Sequence, residues 1–198
     1  MNWMKKVAVA LVCLLPLGLQ AAKVDTLQVK SPSMNKSIEV VVVSPDMAAT
    51  EACPVIYLLH GYGGNARTWV GIKPDLPKIA DEKGIFFVCP DGKNTWYWDS
   101  PLNADVRYET FISDELVKYV DSHYKTVADR KGRAITGLSM GGHGAMWNGL
   151  RHSDVFSAAG STSGGVDIRP FPKNWEKYTV INLVPTLRKD QIALIFDC

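Results

Sequence analysis

The residue of this chain best placed to act as a nucleophile is Ser139, at the centre of Gly137-Leu138-Ser139-Met140-Gly141. Residues 133–136 before it have the apolar character of a short buried strand, and residues 143–150 after it are mostly helix formers. A turn from strand to helix this abrupt forces the serine into a strained backbone conformation, and side chains two positions to either side would collide with the turn. The pattern predicts a Ser139 hydroxyl that stands above a sheet at a helix N-terminus, where the helix dipole favours a developing negative charge.

A strand, Gly-x-Ser-x-Gly and a helix together form the nucleophile elbow of α/β-hydrolases. The elbow predicts an acyl-enzyme on Ser139, with the backbone N–H of Met140 as one oxyanion donor. The second donor is expected in the Gly-rich loop after strand 54–60, and the backbone N–H of Tyr62 is the best candidate because two glycines follow it. The alternatives are a Gly-rich turn with a surface serine, and an ordinary strand-to-helix turn after residues 54–60.

The histidine that would accept the proton of this serine is not found at the expected place. In this fold the chain order is serine, acid, histidine, whereas the four histidines are His60, His123, His143 and His152. The first two precede Ser139, and the last two fall within the elbow helix with no strand-borne acid before them. We expect structural or surface roles for all four, and we expect His60 to hydrogen-bond and shape the Gly-rich loop.

The elements needed to position these residues follow from the hydrophobic pattern. Alternating residues 24–30 and 37–43 predict a hairpin at the antiparallel edge of a sheet, and apolar spacing over 111–124 predicts an amphipathic helix. Further strands are predicted at 54–60, 85–89, 133–136, 155–161 and 191–197, and a short helix at 179–187. Strands that alternate with helices indicate a mostly parallel sheet sandwiched between helices in the α/β class.

Three aromatic residues in succession, Trp96-Tyr97-Trp98, lie in the loop after strand 85–89. Trp96 and Trp98 are candidate substrate-binding residues, because pockets for acyl or aromatic ester groups are mostly apolar. The alternative is that the three rings only pack the loop against the sheet. The sequence leaves both possibilities open.

The N-terminal residues have the order of a secretory signal peptide: Lys5 and Lys6, then apolar residues 7–19, then small residues that allow cleavage after Ala21 or Ala22. We therefore expect a signal peptide over 1–22, a domain over 23–198 and a secreted or periplasmic location. The apolar run is too short to favour stable membrane insertion once the signal is cleaved.

Charge and cysteine content exclude several classes of function. A net charge of +2 gives no indication of nucleic-acid binding. Cys53, Cys89 and Cys198 would remain after cleavage, and their spacing fits no zinc pattern. Cys53 and Cys89 occupy strand positions and are predicted to be small buried residues. No metal or organic cofactor is expected.

The last predicted strand, 191–197, is apolar enough to be buried on both faces, yet Cys198 follows it directly. A domain that stopped there would leave this strand uncovered at an open edge. We therefore expect an α/β-hydrolase domain that lacks its last strand and helices, and an acid and histidine encoded beyond Cys198.

Several motifs together resemble the esterase D family, which groups S-formylglutathione hydrolases, tributyrin-type esterases and feruloyl or acetyl esterases. The motifs are Leu59-His60-Gly61-Tyr62-Gly63-Gly64-Asn65, Pro90-Asp91-Gly92, Trp96-Tyr97, Tyr108-Glu109 and residues 137–145. The resemblance implies an α/β-hydrolase fold, Ser139 as nucleophile, and backbone donors at Met140 and Tyr62. It also implies that the acid and histidine both lie beyond Cys198.

The function expected from this resemblance is that of an exported serine esterase for small-molecule or polysaccharide-linked esters of short acyl, acetyl or feruloyl type. An exported location disfavours S-formylglutathione hydrolysis, which suits the cytosol. Two alternatives remain open: a catalytically incomplete hydrolase-fold module that only binds, and an acyltransferase of the same fold.

Overall fold

The computed structural model describes residues 22–168 and 173–197 of the chain. The predicted signal peptide lies outside the described residues except for Ala22, and so does Cys198. Among the described residues, no helix has the length and apolar character needed to cross a membrane.

Within the described residues, seven strands form one sheet in the order β1-β2-β4-β3-β5-β6-β7. β1 and β2 form an antiparallel hairpin, β2 is antiparallel to β4, and all remaining pairs are parallel. The mostly parallel α/β sheet predicted from the sequence is therefore confirmed. The strands are β1 Lys23–Ser31, β2 Lys36–Ser44, β3 Val55–Leu59, β4 Phe86–Pro90, β5 Arg133–Leu138, β6 Ala158–Thr162 and β7 Ala193–Asp197.

The helices follow the strands whose ends they connect. The predicted helix over 111–124 is present as one helical stretch from Tyr108 to His123, with a π-helical turn at its centre. The α-helices are α1 Thr68–Ile72, α2 Leu76–Lys83, α3 Tyr108–Thr110, α4 Leu116–His123 and α5 Met140–Arg151, with the π-turn at Phe111–Glu115. Short 3-10 turns occupy Asp46–Ala49, Arg130–Gly132, Lys173–Tyr178 and Val180–Thr186.

The sheet is buried on both faces by two separate apolar clusters. The larger joins the sheet to α4 and α5 and includes Tyr57, Ile135 and Met146. The smaller lies under α1 and α2 and includes Leu58 and Phe87. Adjacent residues of one strand, such as Tyr57 and Leu58, enter opposite clusters because side chains alternate across a sheet.

Two predicted strands differ from the structure. The strand expected at 155–161 begins only at Ala158, because the N–H groups of Val155 and Phe156 donate to the carbonyl of His152 in a turn after α5. The last strand, predicted over 191–197, begins only at Ala193, and its five residues are all exposed, as expected for an apolar strand left uncovered at an open edge. β7 is the edge of the sheet within the described residues, where Ile195 is 69% exposed.

A buried carboxylate joins α3 to α5 on the side of the sheet that carries the larger cluster. Glu109 accepts hydrogen bonds from Trp147 Nε1 at 2.7 Å, Arg151 Nε at 2.7 Å and His152 Nε2 at 2.9 Å. Burial raises the pKa of Glu109, but the hydrogen bonds from His152, Arg151 and Trp147 outweigh it and lower the pKa to about 2. The ionised form of Glu109 therefore stabilises the packing of α5.

This arrangement predicts a stability loss in acid. Glu109 has a lower pKa in the fold than its usual 4.5, so its contribution of roughly 3 kcal/mol is complete above that value and disappears as the pH falls through about 2. Glu109→Ala should lower the free energy of unfolding at pH 7 by about 3–5 kcal/mol, because three donors lose their acceptor. The difference between wild type and variant, measured by urea unfolding, should shrink between pH 5 and pH 2.

Asp114→Ala is the matched control, because Asp114 forms an exposed pair with Lys118 one turn further along the same helical stretch. Its effect should stay within about 0.5 kcal/mol. Equal losses for the two variants, or a Glu109→Ala deficit that does not depend on pH, would contradict this role of Glu109.

Candidate active site

Ser139 occupies the turn between β5 and α5 in a backbone conformation that is rare for a residue with a side chain. Its φ is 55° and its ψ is −116°. Its own N–H donates to the carbonyl of Thr162 at 2.9 Å, and its carbonyl accepts from the N–H of His143 at 3.1 Å. The strain predicted for this serine is confirmed, and hydrogen bonds to the next strand and the first turn of α5 hold it in place.

Glycine is required on both sides of Ser139 by direct contact between backbones. A Cβ at Gly137 would lie 2.3 Å from the carbonyl oxygen of Gly141. A Cβ at Gly141 would lie 2.2 Å from the carbonyl oxygen of Leu59 and 2.7 Å from that of His60. The two glycines therefore let α5 begin against the end of β3.

The hydroxyl of Ser139 is open to solvent at the carboxyl end of the sheet, although residues 140–150 of α5 are all buried. Among the described residues, no hydrogen-bond partner of this hydroxyl is found. The N–H of Met140 begins α5, and the first N–H groups of a helix have no acceptor within it. An exposed hydroxyl and an available N–H thus lie at the positive end of the helix dipole.

The Gly-rich loop after β3 lies directly beside Ser139. A Cβ at Gly61 would lie 3.5 Å from Ser139 Cβ and 3.3 Å from the carbonyl oxygen of Leu138. The N–H of Gly64 donates to the carbonyl of Gly61 at 3.0 Å, and Gly63 has a φ of 78°. Tyr62 has no positive φ, so residues 61–64 form a type II turn with Tyr62 at its second position.

His60 fixes the orientation of the first peptide of this turn. Its Nε2 accepts from the N–H of Gly92 at 2.9 Å, so Nδ1 carries the proton and donates to the carbonyl of Gly61 at 2.7 Å. In a planar trans peptide the C=O of Gly61 and the N–H of Tyr62 point in opposite directions. Within the described residues the N–H of Tyr62 donates to no acceptor. The expectation that His60 shapes the loop is confirmed.

The other histidines have structural or surface positions, as predicted. His143 is buried and donates through Nε2 to the carbonyl of Tyr178 at 2.8 Å, and burial lowers its pKa to about 4, so that it is neutral at pH 7. His152 is hydrogen-bonded to Glu109. His123, at the end of α4, forms exposed hydrogen bonds with Ser122 and with the carbonyl of Tyr119. In the described residues, which include all four histidines, none of these rings forms a hydrogen bond with the Ser139 hydroxyl.

The three consecutive aromatics differ in their surroundings. Tyr97 is fully buried, and its hydroxyl donates to the carbonyl of His60 at 3.1 Å. Trp98 is 7% exposed and stacks on Tyr178 with ring centroids 4.2 Å apart, although it also borders a cavity of about 270 Å³. Trp96 is half-buried, with its ring 5.2 Å from that of His143. Packing explains Tyr97 and most of Trp98, whereas Trp96 is only half-buried.

Sequence reasoning missed the residues that complete this aromatic cluster. Trp175 and Tyr178 approach Trp98 from the C-terminal part of the chain, with ring centroids 5.1 Å and 4.2 Å away. The glycine inside α5 at Gly144, where glycine is unfavourable, signals the close approach of Tyr97 and neither of these two residues. A Cβ at Gly144 would lie 2.4 Å from the Tyr97 ring.

No group of three or more potential metal ligands is found among the described residues. Cys53 and Cys89 are both buried and free, and they lie in different apolar clusters. The prediction that they act as small buried residues is confirmed.

The contact between Gly141 and Leu59 predicts a strong effect of one methyl group. Gly141→Ala should lower the free energy of unfolding by about 3 kcal/mol, because the new Cβ meets rigid backbone. Gly71→Ala is the matched control: no atom would lie within 4 Å of a Cβ at this position of α1, and alanine should stabilise the helix by about 0.5–1 kcal/mol. Urea unfolding of both variants measures the difference, and equal stabilities would contradict the backbone contact.

Comparison with known proteins places this geometry in a family. Residues 31–192 match the model of the Esterase family. The chain is 30% identical over 149 residues to Esterase Rv1288 of Mycobacterium tuberculosis (strain ATCC 25618 / H37Rv). This match covers 72% of this chain and 32% of the relative. It is 31% identical over 108 residues to an acetyl esterase of Caldicellulosiruptor saccharolyticus, which covers 54% of this chain and 40% of the relative. The chain therefore spans about a third to two fifths of the length of these curated relatives.

Solved structures agree with this assignment. A ferulic acid esterase superposes with a TM-score of 0.75 at 28% identity, covering 90% of this chain and 79% of that one. An S-formylglutathione hydrolase from Agrobacterium tumefaciens superposes with a TM-score of 0.72 at 22% identity, covering 84% and 72%, and shows the shared fold. The elbow at Ser139, the adjoining Gly-rich loop and the α/β-hydrolase sheet agree with these matches, and the chain belongs to the Esterase family.

Proposed function

We propose that this chain carries the nucleophile and the oxyanion donors of a serine carboxylic-ester hydrolase. The observation that carries the proposal is the exposed Ser139 hydroxyl, held at a φ of 55° at the start of α5 with the Gly61 turn directly beside it. Membership of the Esterase family supports the reaction class.

In the proposed reaction, Ser139 Oγ attacks the ester carbonyl and forms a tetrahedral intermediate. The backbone N–H groups of Met140 and Tyr62 donate to its oxyanion, and each donor raises the rate by a factor of about 10²–10³. Collapse of the intermediate expels the alcohol and leaves an acyl-enzyme, which water then hydrolyses. The mechanism uses no metal or organic cofactor.

The general base and its acid partner are proposed to belong to polypeptide outside residues 1–198. The reason is geometric, since His60 and His143 are committed to backbone carbonyls and His152 to Glu109. The sequence expectation of an acid and histidine beyond Cys198 remains part of the proposal.

The proposed substrates are small-molecule or polysaccharide-linked esters of short acyl, acetyl or feruloyl type. Relatives named acetyl esterase and ferulic acid esterase support this class. The half-buried Trp96 and the cavity beside Trp98 are the proposed contacts for the acyl group.

The second candidate is a hydrolase-fold module that binds esters without cleaving them. It is favoured by the lack, in the described part of the chain, of a hydrogen bond between the Ser139 hydroxyl and the ring of any of the four histidines. An acyltransferase would use the same nucleophile and differs only in whether water or another alcohol takes the acyl group.

Labelling with a fluorophosphonate tests the nucleophile. We expect a single adduct on Ser139, read by intact mass and peptide mapping, that forms slowly because the oxyanion donors act without a base. Tyr62→Pro should slow labelling about 10²–10³-fold, because proline removes the N–H yet suits the second position of a type II turn.

The controls separate the backbone group from the side chain. Tyr62→Ala keeps the N–H and should label at the wild-type rate. Ser163→Ala should also label normally, although Ser163 is exposed like Ser139 and also has a positive φ, 50° against 55°. A folded chain without any adduct would contradict the proposal for these residues and favour the binding module.

Export of the chain is also proposed, with signal cleavage after Ala21. The N–H of Ala22 donates to Asp81 Oδ2 at 2.7 Å, and Ala22 packs in the smaller apolar cluster. Cleavage after Ala21, one of the two positions that the sequence allows, would place the new ammonium group on this carboxylate.

Intact mass of the protein recovered from the medium or periplasm tests this boundary. We expect Ala22 at the N-terminus. A chain that begins at Lys23 would contradict the role of Asp81, and an uncleaved Met1 in exported protein would contradict the signal peptide.

A further inference from the structure

A polar cavity of about 400 Å³ opens at the carboxyl end of β4, away from the aromatic cluster. Its walls come from the hairpin, from the segment after the Gly-rich loop and from the residues after β4. The lining residues are Gln28, Ser37, Ile38, Glu39, Asn65, Arg67, Asp91 and Lys93. None of them takes part in the reaction proposed at Ser139.

The cavity shares its walls with the loop that carries the proposed oxyanion donor. The N–H of Gly63 in that loop donates to Asn94 Oδ1 at 2.7 Å, directly after the lining residue Lys93. Across the cavity, the N–H of Asp91 donates to the carbonyl of Glu39 at 2.9 Å and joins β2 to this edge. A group bound in the cavity would therefore lie at the carboxyl end of the sheet, as an ester held at Ser139 would.

The charges of the lining are balanced in pairs. Arg67 Nε lies 3.8 Å from Glu39 Oε1, and Lys93 Nζ lies 2.6 Å from Asp91 Oδ2. With the charges compensated, the cavity has no net attraction for an anion or a cation. It offers carboxylate acceptors together with guanidinium, ammonium and amide donors, which suits a neutral ligand rich in hydroxyl groups.

The separation from Ser139 determines the size of that ligand. β2 lies three strand positions from β5 in the order β2-β4-β3-β5, which corresponds to about 14 Å at the usual strand spacing. The alcohol of a methyl or ethyl ester is too short to extend from the ester carbonyl to the cavity. A chain of sugar units linked through the ester oxygen has the necessary length.

We propose that this cavity binds a glycosyl unit of an oligosaccharide alcohol, next to the sugar that carries the ester. The inference rests on the proposed function, because it places the ester carbonyl at Ser139. The acyl group then extends toward Trp96 and the alcohol toward Glu39 and Arg67, so that the apolar and polar halves of the substrate occupy opposite sides of the nucleophile.

Calorimetric titration of the chain with xylotetraose, a neutral hydroxyl-rich probe, tests the cavity without any need for turnover. The double variant Glu39→Ala/Arg67→Ala should weaken binding about tenfold or more, as expected for the loss of hydrogen bonds to charged groups. Lys78→Ala/Glu82→Ala is the matched control, because these residues form an exposed pair on α2 outside the cavity. The control should bind as wild type does.

A second titration separates the alcohol from the acyl group. In a Ser139→Ala background, Glu39→Ala/Arg67→Ala should weaken binding of a feruloylated xylo-oligosaccharide and leave the affinity for methyl ferulate unchanged. Absence of xylotetraose binding, or equal affinities for the cavity variant and the control, would overturn the inference even if Ser139 is labelled by the fluorophosphonate. Specific xylotetraose binding by a chain whose Ser139 is never labelled would support the cavity and overturn the esterase proposal instead.

Discussion

The candidate site depends on one close contact between two backbones. The first turn of α5 lies against the last residue of β3, Leu59. Position 141 has to be glycine because a Cβ there would collide with the carbonyl of Leu59. Because this contact is so close, the turn at Ser139 has to be abrupt, and the loop that leaves β3 passes next to the serine. Strain at Ser139 and proximity of Gly61 are therefore two consequences of the same packing.

A second layer of contacts converts this proximity into a defined geometry. His60 uses both ring nitrogens, one for the N–H of Gly92 after β4 and one for the carbonyl of Gly61. Tyr97 then bonds the carbonyl of His60, and Asn148 of α5 donates to the carbonyl of Tyr97 at 3.0 Å. The ends of the neighbouring strands β3 and β4 are thus tied to α5, and the Gly-rich turn can be rigid although it carries almost no side chains.

Local patterns were sufficient to predict the hairpin, the central strands and the elbow, because alternation and glycine spacing act within a few residues. Contacts between distant residues were not predictable in this way. Glu109 meets its three donors 38–43 positions later in the chain, and Trp98 meets Tyr178 only after the chain has crossed the sheet. The apolar composition of β7 reports what a strand can bury, whereas its neighbours decide what is covered.

The exposed edge of the sheet has a consequence for how the chain behaves in solution. β7 presents unpaired backbone groups flanked by Leu194, Ile195 and Phe196, which are 37%, 69% and 57% exposed. Such an edge is a template on which any extended polypeptide can add a strand. Until a further strand, of this protein or of another chain, covers it, this edge is a site at which the described fold is prone to associate.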